Sequence, residues 1–400
     1  MPGRMQAAME RAAVGLAALS MIDRLLKLSM LRHYFSRANP PEPRIWPSVT
    51  ILQPITRGVG GLRANLEARA RLDYPGHVQH ILICDSGDAK SLRICQETLA
   101  AHPGQDARLI CAPCDGDHPT APAPKLRKLQ AALPYARGAI LCLMDDDVAP
   151  RRDNLRRLAP YLLQPGVGAS YALACYTNWS NVWSSLLTSY VNTYSIENYV
   201  AWAYLCGPVR VTGQMACYWR EPLVAAGGFN GLEGYIDDDF ALAQRLQSIG
   251  LRPVQAPVMC DISDYARSWS EYQTKFTRWI VLPKQAMEPS LTAWQRMAAF
   301  LATPATILAP TAIATLTLLT RSRPAELALL AALAAQALSS EITARRFLGR
   351  VTPRYSLLAL PYTMLVEPLH ALLCLLGGNE IVWRGQRIRV FRDGRFTRVV

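Results

Sequence analysis

The chain predicts an α/β protein, a doubly wound sheet followed by a C-terminal membrane helical region. Three observations carry this. Between Val49 and Met144 buried-type strands alternate with helical stretches, the pattern of a parallel sheet with crossover helices. Two of these strands run straight into aspartate, at Asp85 and Asp145, on the edge where such sheets bind ligands. From Ala298 onward long uncharged stretches are separated by arginines.

Taken in order, the first apolar run, Ala12 to Ile22, is only eleven residues long. Asp23, Arg24 and Lys27 interrupt it before Leu25 to Leu31 resumes. A bilayer span needs about 20 residues, so an amphipathic helix lying in the interface is expected, with a degenerate transmembrane anchor as the second reading. A Pro-rich connector, Arg37 to Pro47, follows, which makes 1–46 a membrane-associated segment.

Residues 47–295 read as the α/β domain. VTILQ (Val49 to Gln53), HILIC (His80 to Cys84), Ala107 to Cys111 and Ala139 to Met144 are strands, and helices are expected over Leu62 to Leu72, Ala89 to Ala101 and Lys125 to Tyr135. A helix over Arg156 to Leu163 and a strand over Gly166 to Cys175 continue the pattern. Asn181 to Tyr204 is aromatic, apolar and without positive charge; it is either a core helix or a helix lining a lipid-acceptor groove. Val211 to Trp219 is hydrophobic, and Ser270 to Trp279 suits a helix.

Residues 296–378 read as transmembrane or re-entrant helices. Ala298 to Thr320 is 23 uncharged residues, long enough to span despite Pro304 and Pro310. Leu327 to Ser340 is shorter. Leu357 to Leu376 holds Glu367 and His370 and is broken by Pro361 and Pro368, as in a re-entrant element. The tail, 379–400, is a basic hairpin with Asp393-Gly394 as its turn. Arginines 345 to 354 and those of the tail both belong on the cytosolic side, so the third segment is expected to enter and leave on one side.

The formal charge of +13 suits an anionic membrane surface or phosphorylated substrates. Nucleic acid is not implied, because no dense Lys/Arg run has interleaved aromatics. The ten cysteines sit largely in apolar strands, as reduced thiols do. Cys111 and Cys114, with His118 behind, form a lone CxxC without the second pair of a zinc site.

The stretch with the densest chemistry is LCLMDDDV, Leu141 to Val148. Three consecutive carboxylates at a strand end repel one another unless a cation sits on them; a solvated acidic turn is the plain alternative. Asp145 and Asp147 are the expected metal pair, and Asp146 is expected to point away. The fingerprint loops that cradle phosphates are absent, which leaves the phosphates to a metal. A second triplet, Asp237-Asp238-Asp239, opens a helix. One carboxylate there is an ordinary cap, a reading that suits Asp237, but three exceed what capping needs. Arg278 offers a planar donor fork for a diphosphate or carboxylate.

With Asp85, Asp145 to Asp147, Asp238-Asp239 and Arg278-Trp279 in chain order, the sequence resembles GT-A glycosyltransferases with a D, D, D, (Q/R)xxRW signature. It looks most like the ceramide glucosyltransferase family, glycosyltransferase family 21. LDYPGH (Leu72 to His77), APKLRKL (Ala123 to Leu129), VTGQMACYWRE (Val211 to Glu221), AAGGF (Ala225 to Phe229), YIDDDFALA (Tyr235 to Ala243), EIVWRGQRIRV (Glu380 to Val390) and Glu367 have counterparts in order. The resemblance implies a GT-A Rossmann-like sheet and a membrane-bound, inverting transfer of a hexose, glucose foremost, from a UDP-sugar to the primary hydroxyl of a ceramide-like lipid. By the same resemblance Asp85, with Asp88 as a substitute, contacts the uracil or ribose, and Lys125 lies near the nucleotide. Asp145 and Asp147 bind Mg²⁺ or Mn²⁺ on the diphosphate. Asp239 is the general base, with Asp238 the other register. Arg278 and Trp279 support diphosphate and acceptor, and Gly213, Trp279 and Glu367 mark the acceptor region. The active site faces the cytosol, on the inner membrane in a bacterium.

The chain departs from the pattern at Lys275, where Gln or Arg is usual, and at Lys128, where Asn is expected. Acceptors of the hopanoid or diacylglycerol type are the alternatives. A polysaccharide synthase, which needs more spans, and an inactive nucleotide-sugar-binding scaffold are the remaining rivals.

Overall fold

The computed structural model describes residues 2–113, 124–207, 211–232, 234–383 and 386–399. Cys114 and His118 lie outside them, and Cys111 is exposed. The nine described cysteines are free.

Eight strands form one sheet: β1 Val49–Pro54, β2 Val78–Asp85, β3 Asp106–Ala112, β4 Ile140–Met144, β5 Val148–Ala149, β6 Val167–Tyr176, β7 Met215–Trp219 and β8 Arg252–Ile262, in the order β3-β2-β1-β4-β7-β6-β8-β5. The first four pair in parallel, as the strand–helix alternation predicts. Beyond β4 the sheet becomes mixed, because β7 runs antiparallel to both β4 and β6, while β8 returns parallel to β6. The purely parallel sheet that the alternation implies therefore covers only the N-terminal half.

Both faces are covered, so the strands are apolar on both sides. Along β4, Ile140, Cys142 and Met144 pack with Leu155, Leu158 and Leu162, whereas Leu141 and Leu143 pack with Leu126, Leu129 and Leu242. This is the two-residue period of a pleated strand. It fixes which way the residues after Met144 emerge from the sheet.

The first helix, Pro2–Ser36, is one run of 35 residues, about 52 Å at 1.5 Å per residue. Its Ala13 and Ala17 pack with Ile313, Ala325, Ala328 and Ala332 of two later helices. Arg24 and Lys27 are not breaks. Arg24 Nη1 lies 2.6 Å from Glu197 Oε2, and Lys27 Nζ donates to Asn198 Oδ1 at 2.9 Å.

Among the described residues two helices are long and apolar enough to cross a membrane, Ala293–Thr320 with 28 residues and Arg323–Leu348 with 26. The second is longer than its apolar run because Ser339 and Thr343 donate to the buried Glu197 Oε1 at 2.7 and 3.4 Å, so the helix continues inside the bundle. A further pair, Arg354–Leu365 and Glu367–Leu376, is bent by 42°. Its start meets the α/β body through Tyr355 Oη, which donates to Trp179 O at 3.0 Å.

The tail forms a three-stranded antiparallel sheet, β9 Glu380–Trp383, β10 Gln386–Val390 and β11 Phe396–Arg398. Gly394, at φ +81°, serves the turn between β10 and β11. The tail docks on the α/β body: Ile236 N donates to Gly394 O at 3.1 Å, and Ile381, Ile388 and Val390 pack with Ile236 and Val281.

Candidate active site

Strand β4 delivers Asp145 to the sheet edge. Asp145 N donates to Gln214 O at 3.0 Å, and Gln53 Nε2 donates to Asp145 O at 3.1 Å, which fixes the backbone there. The carboxylate of Asp146 takes the Thr56 N–H, and its carbonyl takes Asn65 Nδ2 at 2.9 Å. Asp146 is thus occupied with holding the loop after β1. Asp147 O accepts from Ser263 N at 2.9 Å, which ties the turn to the end of β8.

The second triplet comes up opposite. Asp237 is the cap of helix Asp238–Ser248 and accepts from Phe240 N at 3.2 Å. Asp238 and Asp239 occupy the first turn and face Lys125, at the start of helix Pro124–Ala132. Lys125 Nζ stands 3.1 Å from Asp145 Oδ1, 3.1 Å from Asp238 Oδ2 and 3.4 Å from Asp239 Oδ1. One ammonium therefore joins two acidic clusters about ninety residues apart. Burial works against its charge, yet the three carboxylates hold Lys125 well above the ordinary lysine range.

The carboxylates outnumber that one cation. Burial, then Asp264, Asp145 and Asp146, push Asp147 well above the usual carboxylate range, with Lys275 opposing. Burial and Asp238 do the same to Asp239 against Lys125. Asp147 Oδ1 is buried without a hydrogen-bond partner. Among the described residues no three carboxylate, imidazole or thiolate groups enclose a metal by themselves. Hard oxygen donors with an unused lone pair and a charge excess suit Mg²⁺ or Mn²⁺, ions that take one or two carboxylates and fill the other positions with phosphate oxygens and water.

Helix Trp269–Leu282 lays Lys275, Arg278 and Trp279 on one face, three and four residues apart. Lys275 pairs with Asp264, just past β8. Trp279 meets Tyr176 edge-on at 5.7 Å and stacks on Tyr190 at 6.3 Å. Arg278 makes no hydrogen bond or ion pair to protein among the described residues and lines the same cavity as the carboxylates.

Asp85 ends β2 and is covered by Lys128 Nζ at 3.8 Å and Arg57 Nη2 at 3.9 Å, both of which line the cavity. Asp88 caps helix Ala89–Ala101 by accepting from Ser91 N at 3.2 Å. Its side chain thereby has a local structural use. Gly213 lies directly beneath the Asp239 carboxylate, where a Cβ would overlap it. Glu367 is fully buried and accepts from Tyr272 Oη at 2.6 Å, one turn from Lys275.

The cavity is about 1080 Å³. Asp145, Asp147, Asp238, Asp239 and Arg278 line it together with Trp202 and with Ile307, Leu308, Leu372 and Leu375 of the helical region. It therefore joins an anionic centre to an apolar wall.

The glycosyl transferase family 21 model matches residues 12–396, nearly the whole chain. The chain belongs to glycosyl transferase family 21. No curated protein matches it in sequence. Among solved structures, a mannosyltransferase from Pyrobaculum calidifontis in complex with GDP-Man and Mn²⁺ is similar, with 22% identity, 90% of this chain and 99% of that one covered, and a TM-score of 0.52. TarS from S. aureus in complex with UDP-GlcNAc is 10% identical over 88% of this chain and 99% of that one, at a TM-score of 0.39. Glucosyl-3-phosphoglycerate synthase from Mycobacterium tuberculosis, in complex with phosphoglyceric acid, is 15% identical over 58% and 79%, at 0.36. The fold of this family 21 chain is the GT-A sheet, and it is a sugar-transferring enzyme.

Within that family 21 frame, Asp264 is the residue that sequence reasoning passes over. It lines the cavity and raises Asp147. It stands two residues past the end of β8, near the sheet edge where Asp85 and Asp145 end their strands.

Proposed function

We propose that the chain moves a hexose, glucose foremost, from a UDP-sugar to the primary hydroxyl of a membrane lipid of the ceramide type, with inversion at the anomeric carbon. The observation that carries this reading is the single cavity with carboxylates at one wall and the apolar side chains of the helical region at another. A sugar-polymer acceptor has no use for the second wall.

Asp145 and Asp147 would hold Mg²⁺ or Mn²⁺, which supplies charge neutralisation for the diphosphate as it leaves. Lys125 and Arg278 place further positive charge beside it. Asp239 takes the proton of the acceptor hydroxyl while that oxygen attacks C1 and the bond from C1 to the diphosphate breaks. A base held above the ordinary carboxylate range binds that proton well. Gly213 and Lys125 fix its position. Trp279, held by Tyr176 and Tyr190, shapes the acceptor side.

The proposed site lies on the cytosolic face, where UDP-sugars are made. The helical geometry supports this. Arg151 Nη2, in the α/β body, donates to Leu348 O at 2.7 Å at the end of the second long helix, and both Arg151 and Arg350 pair with Asp261. The bent pair begins on Trp179 and leads to a tail docked on the same body, as a re-entrant element does.

Purified protein in detergent, supplied with Mg²⁺ or Mn²⁺ and a panel of UDP-sugars, tests the reading against ceramide, diacylglycerol and hopanoid acceptors. A glycosylated ceramide supports it. A sugar polymer, or no lipid product from any pairing, overturns it.

A further inference from the structure

We propose that Asn198 recognises the acceptor, donating through Nδ2 to a carbonyl oxygen of the lipid's acyl linkage. The inference rests on the lipid acceptor proposed above and adds the group by which that lipid is read.

Lys27 Nζ donates to Asn198 Oδ1 at 2.9 Å, to Ala302 O at 2.6 Å and to Thr306 Oγ1 at 3.0 Å. An ammonium only donates, so the amide of Asn198 must turn its oxygen to Lys27. Its Nδ2 hydrogens then point the other way. Asn198 lines the cavity, and among the described residues those hydrogens meet no protein acceptor. A buried cation thus sets the orientation of an amide whose donor edge is left to a ligand.

The placement suits an acyl linkage. Ser195, Asn198, Tyr199 and Trp202 recur at helical spacing and all line the cavity. At one end of this face Tyr190 stacks on Trp279, beside the reacting centre. At the other, Trp202 Nε1 donates to Thr303 Oγ1 at 2.9 Å, where the first long apolar helix turns toward Thr320. Asn198 stands between them. A donor-only edge at a polar–apolar boundary matches an acceptor-only group, and an acyl carbonyl is that group in a lipid.

The test compares an N-acyl amino-alcohol lipid with its E-alkene isostere, which lacks the carbonyl, on the wild type and on Asn198→Asp. The variant keeps an oxygen for Lys27 but loses both donor hydrogens. The wild type should show an acceptor KM at least about tenfold higher for the isostere, as loss of a site-matched hydrogen bond gives. Asn198→Asp should show a ratio near one, with UDP affinity as the control for folding. Equal ratios in the two proteins overturn the inference and leave the proposed function standing. A wild-type ratio within twofold overturns it whether or not the variant folds. A wild type that glycosylates neither lipid overturns the proposed function, and this inference with it.

Discussion

Gly213 sits so close under Asp239 that a methyl group in place of its hydrogen would overlap the carboxylate. To make room, the carboxylate has to swing away from its present place beside Lys125 Nζ, 3.4 Å away. Gly213→Ala must therefore push the proposed base out of line. Turnover is expected to fall about 10²-fold or more, the scale of a general base misplaced. UDP affinity should stay within about threefold. Steady-state kinetics alongside UDP titration checks this, and an alanine variant with normal turnover would mean that Asp239 is not placed by Gly213.

A second expectation concerns metal-free stability. The folded protein holds the Asp147 carboxyl above its ordinary value through burial and the neighbouring Asp264, Asp145 and Asp146. Such a group takes up a proton on folding between the ordinary and the raised value, so the stability it costs grows as pH rises through that interval. Asp147→Asn removes the cost. In chelator, the variant should melt above the wild type at pH 7.5, and the gap should shrink toward pH 5. A pH-independent gap would contradict the raised carboxyl.

Removing both proposed metal ligands has a different signature. Asp145→Asn with Asp147→Asn should abolish the Mg²⁺ or Mn²⁺ dependence of UDP binding measured by calorimetry. If UDP binds the wild type equally well in chelator, the metal has no place in the donor site.

Tyr272 and Glu367 link the helix bearing Lys275, Arg278 and Trp279 to the bent segment. Tyr272→Phe leaves Glu367 Oε1 buried without its donor, and Glu367 Oε2 already lacks one. The expected loss is about 1–3 kcal/mol of stability, read as a lower melting temperature. An unchanged melting temperature would show that water replaces the hydroxyl.

Much of this site can be read from the residues. Buried runs ending in Asp85 and Asp145 mark a shared sheet edge, and Asp237 is the cap that its place before a helix announces. Strand β8 is hidden because Pro253 and Pro257 argue against an interior strand. The sheet absorbs them beside register shifts, with Tyr171 opposite Gln255 but Leu173 opposite Met259. With β8 hidden, Asp264 has no strand end to mark it. Arg24 and Lys27 look like interruptions of an apolar run because their partners, Glu197 and Asn198, lie about 170 residues away. Ser339 and Thr343 likewise look like the end of a span until Glu197 is seen to receive them. Long-range polar pairing inside a helical bundle leaves no local periodicity to read.

The most direct test of the central claim is Asp239→Asn in the detergent assay with the accepted UDP-sugar and lipid. The account predicts lipid glycosylation reduced by about 10²–10⁴-fold, the contribution of a positioned base, with UDP and metal still bound as in the wild type. Turnover equal to the wild type would contradict it and place the proton acceptor elsewhere.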